Sequence, residues 1–339
     1  MNIEQQLFNE ATINDGGIYF EAEDEILLKR VKSKVNYFIT RIINEIPTMP
    51  LITVEYVNNE NVNAYAFNWK GKYFIGIFTG IVYLLDNLFE QITSDERLYE
   101  NIYFKDISKE ECKEKFLDYC ILFLVSHELC HIRFGHCDYV ASNGNTFLKE
   151  FTTKTLEEKG LESQTLEMDA DCCGISTVVN RIIMDSIGIN SYEKCINSVY
   201  ETNFLIFSVY YLFRILAGNC NVKEYSLTEL KCMDHPHDGI RQNYILSTVV
   251  TLYQKHINEE KFINHLSEVL SELSFHAEKI YQGNIEKERI SLLLGFTEVG
   301  AKHMKDIINE WNNVRERLLN FSHDELAPCE KFDCEIVLL

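Results

Sequence analysis

Two imidazoles and a carboxylate fall within five residues of one another in the segment His127-Glu128-Leu129-Cys130-His131. Residues four apart share a helix face, so His127 and His131 can direct their rings at one zinc ion. Glu128, one residue on, then sits beside the open coordination position, where it can act as general base on a metal-bound water. The apolar run at 120–125 would bury this helix in the core. Two histidines do not complete a zinc site, and the third ligand must be His136, a cysteine or an acid further along. The form with a nearby third histidine needs a glycine three residues and a ligand six residues after His131. Those places hold Phe134 and Cys137, which excludes it.

Downstream, Leu166-Glu167-Met168-Asp169-Ala170-Asp171 puts Glu167 and Asp171 four apart on a second expected helix. Glu167 can ligate the metal while Asp171 accepts a hydrogen bond from the far nitrogen of a ligating histidine and fixes its tautomer. The third element is Asp234-His235-Pro236-His237-Asp238-Gly239-Ile240-Arg241. Pro236 in a first helical turn would present His235 at the mouth of a helix, with Arg241 under two turns further along as a supporting residue. A histidine so placed can donate a hydrogen bond to the oxyanion formed when water attacks a carbonyl. His136 and His237 are each read as either a substrate contact or a loop histidine. Cys130, Cys172 and Cys173 lie near the expected metal but off the ligand face of their helices, so packing is their expected role. Cys329 and Cys334 are expected to be free thiols.

The elements that must position these groups are mostly helical. Residues 21–46 carry apolar positions at helical spacing and end at Pro47. After Pro50 the pattern becomes LITVEYV, NAYAF and KYFIGIF, two or three strands with a hairpin at 68–71. An exposed edge along Asn63, Ala64, Tyr65 and Ala66 would hold an extended substrate by main-chain hydrogen bonds. From Thr79 to about Phe321 the chain reads as helices joined by short polar loops. Within it, FLIFSVYYLFRIL at 204–216 is cut by Arg214 and is expected as a buried core helix, being too short for the ~20 residues that span a bilayer. The expected fold is mainly α with a small β-sheet, an α+β zincin-like metallopeptidase, with a catalytic domain at 1–250 and a helical extension at 251–339 packed on it.

Composition narrows the partners. Lys and Arg number 32 against 52 Asp and Glu, and the net charge of −20 removes the basic surface that nucleic acid or anionic lipid requires. The 11 cysteines follow no secreted-scaffold spacing and suit the reducing cytoplasm. No signal peptide or membrane-inserted segment is expected. The oligomeric state is not legible.

The order Asn-Ala-Tyr-Ala-Phe at 63–67, Phe78-Thr79-Gly80 entering a helix, His127-Glu-x-x-His131, Glu167-x-x-x-Asp171 and His235-Pro-x-x-x-x-Arg241 resembles the zinc endopeptidases of the CAAX prenyl protease and HtpX group, over roughly residues 50–245. The resemblance implies Zn²⁺ held by His127, His131 and Glu167, with Glu128 as general base and His235 near the oxyanion. Many members carry membrane helices that this chain lacks, so the expected substrate is a cytoplasmic protein or peptide. A looser resemblance, through the helix motif and Gly135-His136, is to the Lit-type peptidases of phage exclusion, which cleave a host translation factor. It implies a defence-type protease of one host protein. A non-catalytic zinc-binding scaffold is the alternative from a different class.

Overall fold

The computed structural model describes residues 1–20, 25–142, 148–149, 160–217, 225–282 and 291–329. Helix α1 (Ile3–Thr12) is followed by α2 (Ile26–Glu45), which buries Leu28, Val31, Val35, Phe38, Ile39 and Ile42, a single stripe at helical spacing. It ends at the residue pair Ile46-Pro47 as expected, whereas residues 21–24 of the expected helix lie outside the described residues. Strands β1 (Ile52–Val57), β2 (Ala64–Trp69) and β3 (Lys72–Phe78) come next. Lys70 and Gly71, both at positive φ, close the two-residue hairpin between β2 and β3. A later two-residue strand, β4 (Leu148–Lys149), completes a sheet of order β1-β3-β2-β4 in which only the β1–β3 pair is parallel.

Period-two alternation sorts the strand residues onto two faces. Val57, Tyr65, Phe67, Phe74 and Phe78 form an aromatic-rich layer closed by Phe8 of α1. Val54, Tyr56, Ala64, Ala66, Ile75 and Ile77 belong to the main core on the other side. The helices on that side are α3 (Thr79–Ile92) and the central α4 (Lys109–Arg133), which is buried almost all round from Phe116 onward. Ser108 caps α4, accepting a hydrogen bond from the Glu111 amide, and Glu110 and Glu111 suit the positive end of its dipole.

After the short α5 (His136–Ser142), helices α6 (Gly160–Asp185), α7 (Ser191–Ala217), α8 (Leu227–Lys231), α9 (Asp238–His256), α10 (Glu260–Gln282) and α11 (Glu298–Leu318) complete the fold. The run at 204–216 is the buried half of α7, and its Arg214 donates from Nη1 to Asp238 at 2.5 Å. Leu266, Leu270, Leu273, Ala277 and Leu292 share the core with α2, α4 and α7, while Trp311, Val314 and Leu318 of α11 cover α6 through Leu166 and Ala170. The chain is mainly helical with one small sheet, and among the described residues no helix is long and apolar enough to cross a membrane.

Candidate metal centre

His127 and His131 project from one face of α4, and their Nε2 atoms lie 3.0 Å apart. Glu167, from α6, places Oε2 at 3.3 Å from Nε2 of His127 and Oε1 at 3.6 Å from Nε2 of His131. All three side chains are buried, and their ligating atoms lie within 4.8 Å of one another. Two ligands of a tetrahedral zinc at about 2.05 Å would be ~3.3 Å apart, so the three separations bracket what one ion requires. Helix packing makes this possible at Gly174, where an added Cβ would lie 3.0 Å from the His127 amide nitrogen and 3.2 Å from its Cα. A side chain there could be accommodated only if the α4 backbone gave way by a few tenths of an ångström.

Behind His127 lies a charged anchor. Its Nδ1 is 2.9 Å from Oδ1 of Asp171, which also accepts from Nη2 of Arg241 at 2.8 Å. Asp171 Oδ2 accepts from Nε of Arg241 at 2.8 Å and from the Tyr244 hydroxyl at 2.5 Å. Burial pushes the Asp171 carboxyl up, but the Arg241 charge and the hydrogen bonds overcome it and hold it down at about 2. An ionised Asp171 needs the His127 proton on Nδ1, which leaves the Nε2 lone pair facing the centre. Arg241 is itself stacked over the Phe213 ring at 4.3 Å.

The charge states of His131 and Glu167 follow from burial together with their neighbours. Desolvation, aided by His127 and His136, holds His131 well below the usual imidazole range against the attraction of Glu167. Glu167 is pushed up by burial, yet the imidazoles of His235, His131 and His127 hold it well below the usual carboxylate range. Neutral imidazole nitrogens and an ionised carboxylate are the forms that bind a metal. His127, His131 and Glu167 form a buried group that could hold a metal ion.

His235 enters from the loop before α9, with Nδ1 3.3 Å from Oε2 of Glu167, and at 21% side-chain exposure it is the solvent-facing member of the group. The loop is pinned by Gln164, whose Nε2 donates to the carbonyls of Leu230 at 2.9 Å and Met233 at 2.7 Å. Gln164 Oε1 in turn meets Nε2 of His303, from α11, at 2.7 Å. The helix begins later than Pro236 suggested: α9 starts at Asp238, and His237 is its cap, its Nδ1 accepting from the Gly239 amide at 3.1 Å. His237 therefore caps a helix and faces Tyr225 instead of the centre.

Three expectations are corrected. The edge along Asn63, Ala64, Tyr65 and Ala66 is not open: all four are buried, and β4 pairs antiparallel with Tyr65 and Ala66 on the side away from β3. The chain's own return after α5 takes the position foreseen for a substrate. Cys130 and Cys173 are not separate packing thiols but a disulfide that ties α4 to α6. One helical step off the ligand face on each helix points both sulfurs at the other helix's flank. His136 is neither ligand nor substrate contact, because its Nδ1 lies 2.9 Å from Nδ1 of His131, on the side of that ring away from the centre. Cys172 is outside any disulfide and accepts from the Thr248 hydroxyl, Cys329 is free and exposed, and Cys334 lies outside the described residues.

Asp169, Gln164, Gly174 and Tyr244 were not singled out by the sequence. The run Glu167-x-Asp169-x-Asp171 held a signal for Asp169, since a third acid in five residues of a helix that buries its neighbours needs a partner. No protein-family model, no curated protein and no solved structure matches this chain.

Proposed function

We propose that this chain is a zinc-dependent endopeptidase acting on protein or peptide substrates, of the kind the CAAX prenyl protease and HtpX resemblance implies. The observation that carries it is the convergence of His127, His131 and Glu167 within 4.8 Å, on two helices, with Glu128 adjoining the first ligand. The donor set of two neutral imidazoles and one carboxylate is that of a catalytic zinc site and leaves a coordination position open. Zinc bound there would polarise a scissile carbonyl and acidify water.

The remaining work falls to the protein. Glu128, buried and next to His127 in the chain, accepts the proton of the attacking water and passes it to the leaving amine. His235, the partly exposed imidazole at the rim, donates to the oxyanion. Asp171, with Arg241 and Tyr244 behind it, holds His127 in the tautomer that ligates.

Metal analysis after dialysis, followed by hydrolysis of denatured casein with and without chelator, tests the reading. The expected result is one zinc per chain, lost in Glu167→Ala, and activity reduced by ~10² or more in Glu128→Gln at unchanged zinc content, in line with a general base. Unaltered hydrolysis in Glu128→Gln would overturn the mechanism. A metal-binding scaffold is the second reading, favoured by ligands that are all buried and a β2 edge already covered. Zinc bound without hydrolysis of casein, or of any cellular protein in a comparison of amino termini between wild type and Glu128→Gln, would select it. A single cleaved target would instead mark the narrow defence-type protease.

A further inference from the structure

We infer that the Cys130–Cys173 bond is a redox switch on the metal centre, opened by thiol exchange at Cys173. Closed, it holds α4 and α6 at the spacing in which His127, His131 and Glu167 converge. Open, it lets the two helices part, and metal affinity falls. The inference rests on the metal site proposed above and adds its regulation.

The cross-link sits inside the ligand set. Cys130 immediately precedes His131 on α4, and Cys173 follows Glu167 by six residues and Asp171 by two on α6. Beside Cys173, Gly174 brings α6 against the backbone of His127, so the bond closes where the two helices that supply all three ligands approach tightly. The Cα atoms of the pair are 6.3 Å apart, a span that a disulfide bridges without backbone movement. The other described cysteines stand outside any disulfide, including the adjacent Cys172, whose sulfur is turned to Thr248 of α9.

The two halves of the bond differ in access. Cys130 is buried while Cys173 is partly exposed, so an incoming thiolate meets Cys173. Arg133, fixed to Asp324 through Nε and Nη2, donates from Nη1 to Sγ of Cys173 at 3.8 Å. A cation there stabilises the negative charge that gathers on sulfur as bonds exchange. A low-molecular-weight thiol supplies the electrons. Its thiolate forms a new S–S bond to Cys173 as the Cys130–Cys173 bond breaks, and the electron pair leaves on Sγ of Cys130, which takes up the proton the reagent gave up. A second thiolate attacks the outer sulfur of the mixed disulfide, which releases Cys173 as a thiol and the reagent as its own disulfide. Two electrons have then passed from two thiols to the protein, and the reagent's disulfide reverses each step.

Opening the bond changes a distance to which the centre is sensitive. Bonded sulfurs lie about 2 Å apart, whereas non-bonded heavy atoms settle at about 3.5–4 Å, so the two thiols must part by ~1.5 Å. Metal–ligand distances tolerate deviations of only about 0.2 Å. Turning the Cys173 side chain towards solvent takes up part of the displacement. Cys130 packs in a cluster with Leu166 and Ala170 of α6, so the remainder falls on the spacing of the helices. A small fraction of it passed to His131, the next residue, exceeds the tolerance.

Zinc affinity decides the matter, measured by competition with a chromophoric chelator on the cross-linked protein and on protein reduced with a phosphine and then freed of reductant. Thiol titration and circular dichroism report the redox state and the fold of each sample. The reduced form is expected to bind zinc at least about tenfold more weakly. Cys130→Ser/Cys173→Ser, permanently open, should bind as the reduced form does and should not respond to reductant. Equal or tighter binding by reduced wild type would overturn the switch, as would a double variant that keeps the response. Loss of the fold on reduction would overturn it too, because the bond would then be purely structural. Glutathione added to the cross-linked protein and quenched by alkylation should leave its mixed disulfide on Cys173, and an adduct on Cys130, or a bond that resists glutathione, would refute the exchange. Failure of cross-linked wild type to bind zinc would refute the metal site and the switch together, whereas equal affinity in both states would leave the site standing and remove the switch alone.

Discussion

Asp171 is fully buried and Arg241 nearly so, and breaking their pair should cost far more than either residue's contacts suggest. Asp171→Asn keeps shape and an acceptor oxygen but removes the charge that faces the guanidinium through two hydrogen bonds at 2.8 Å. The carboxyl is held from its ordinary 3.8 down to about 2, a preference for the ionised form on the order of 2 kcal/mol inside the fold. Removing one partner of a buried pair generally costs ~3–5 kcal/mol because the other charge stays desolvated. A loss of about 3 kcal/mol is therefore expected for Asp171→Asn, and a similar one for Arg241→Met. The double variant should lose much less than the sum, since neither charge is then stranded, giving a coupling of roughly 2–3 kcal/mol. Urea unfolding in the presence of chelator, followed by circular dichroism and by tryptophan fluorescence, measures all four corners of the cycle. Coincidence of the two signals licenses the comparison. Additivity to within about 0.5 kcal/mol would refute the argument that the pair is held as a buried unit. Zinc binding adds a second check, because Asp171→Asn should also weaken affinity by about 10–100-fold through His127.

Three further outcomes are expected. The Cys130–Cys173 bond closes a loop with a sequence separation of 43 residues, and its removal in Cys130→Ser/Cys173→Ser should cost about 4 kcal/mol of stability on a chain-entropy estimate. Non-reduced peptide mapping must find the cross-link for that reasoning to stand. His303 is pushed down from 6.5 to about 4, chiefly by burial, so the unfolded chain takes up a proton at higher pH than the folded one. Its contribution is complete above pH 6.5 and is lost as pH falls from 6.5 towards 4. The thermal midpoint of His303→Gln should show a shallower decline over that window than wild type, and parallel curves would refute the assignment. Gly174→Ala gains up to ~1 kcal/mol of helix propensity, yet its Cβ meets the backbone of Ser126 and His127 at 3.0–3.4 Å. Strain of this kind costs roughly 1–3 kcal/mol, so a net loss of stability with weakened zinc binding is expected, and a stabilised variant with unchanged affinity would show that the close approach is dispensable.

Much of this was written in local pattern. The α2 stripe, the hairpin through Lys70 and Gly71, and the helical run after Thr79 follow from periods of 3.6 and 2 and from turn residues at fixed places. The four-residue spacings of His127/His131 and Glu167/Asp171 put each pair on one helix face, and the fold brings both to one point. What escaped was set by encounters between distant segments. A two-residue strand such as β4 has no period to read, and its pairing with Tyr65 and Ala66 decides whether the β2 edge is free. The disulfide depends on how α4 and α6 are rotated against each other, which the spacing within either helix does not encode. Asp169 stands two residues from Glu167 and hence on the opposite side of α6, so its partner could only be known once the turn at Gly135 had carried His136 there.

That rotation of α6 is the variable on which the whole centre depends. Gln164, Glu167, Asp171 and Gly174 follow one another at intervals of three, four and three residues, a single stripe along the helix. In order, they hold the carbonyls of the loop that carries His235, offer a ligand, orient His127, and admit the backbone of α4. Asp169 and Cys173, four residues apart on the opposite side of the helix, reach His136 and Cys130. Turning α6 by one residue, about 100°, would lose all of these contacts together, so selection on any one of them fixes the rest. The cover is fixed by the same means, because Leu166 and Ala170 complete the helix with an apolar face against Trp311, Val314 and Leu318 of α11. Helix α11 supplies none of the three ligands. It nevertheless sets the rotation of the helix that supplies one, and through the His303–Gln164 bond it also anchors the loop that brings His235 to the rim.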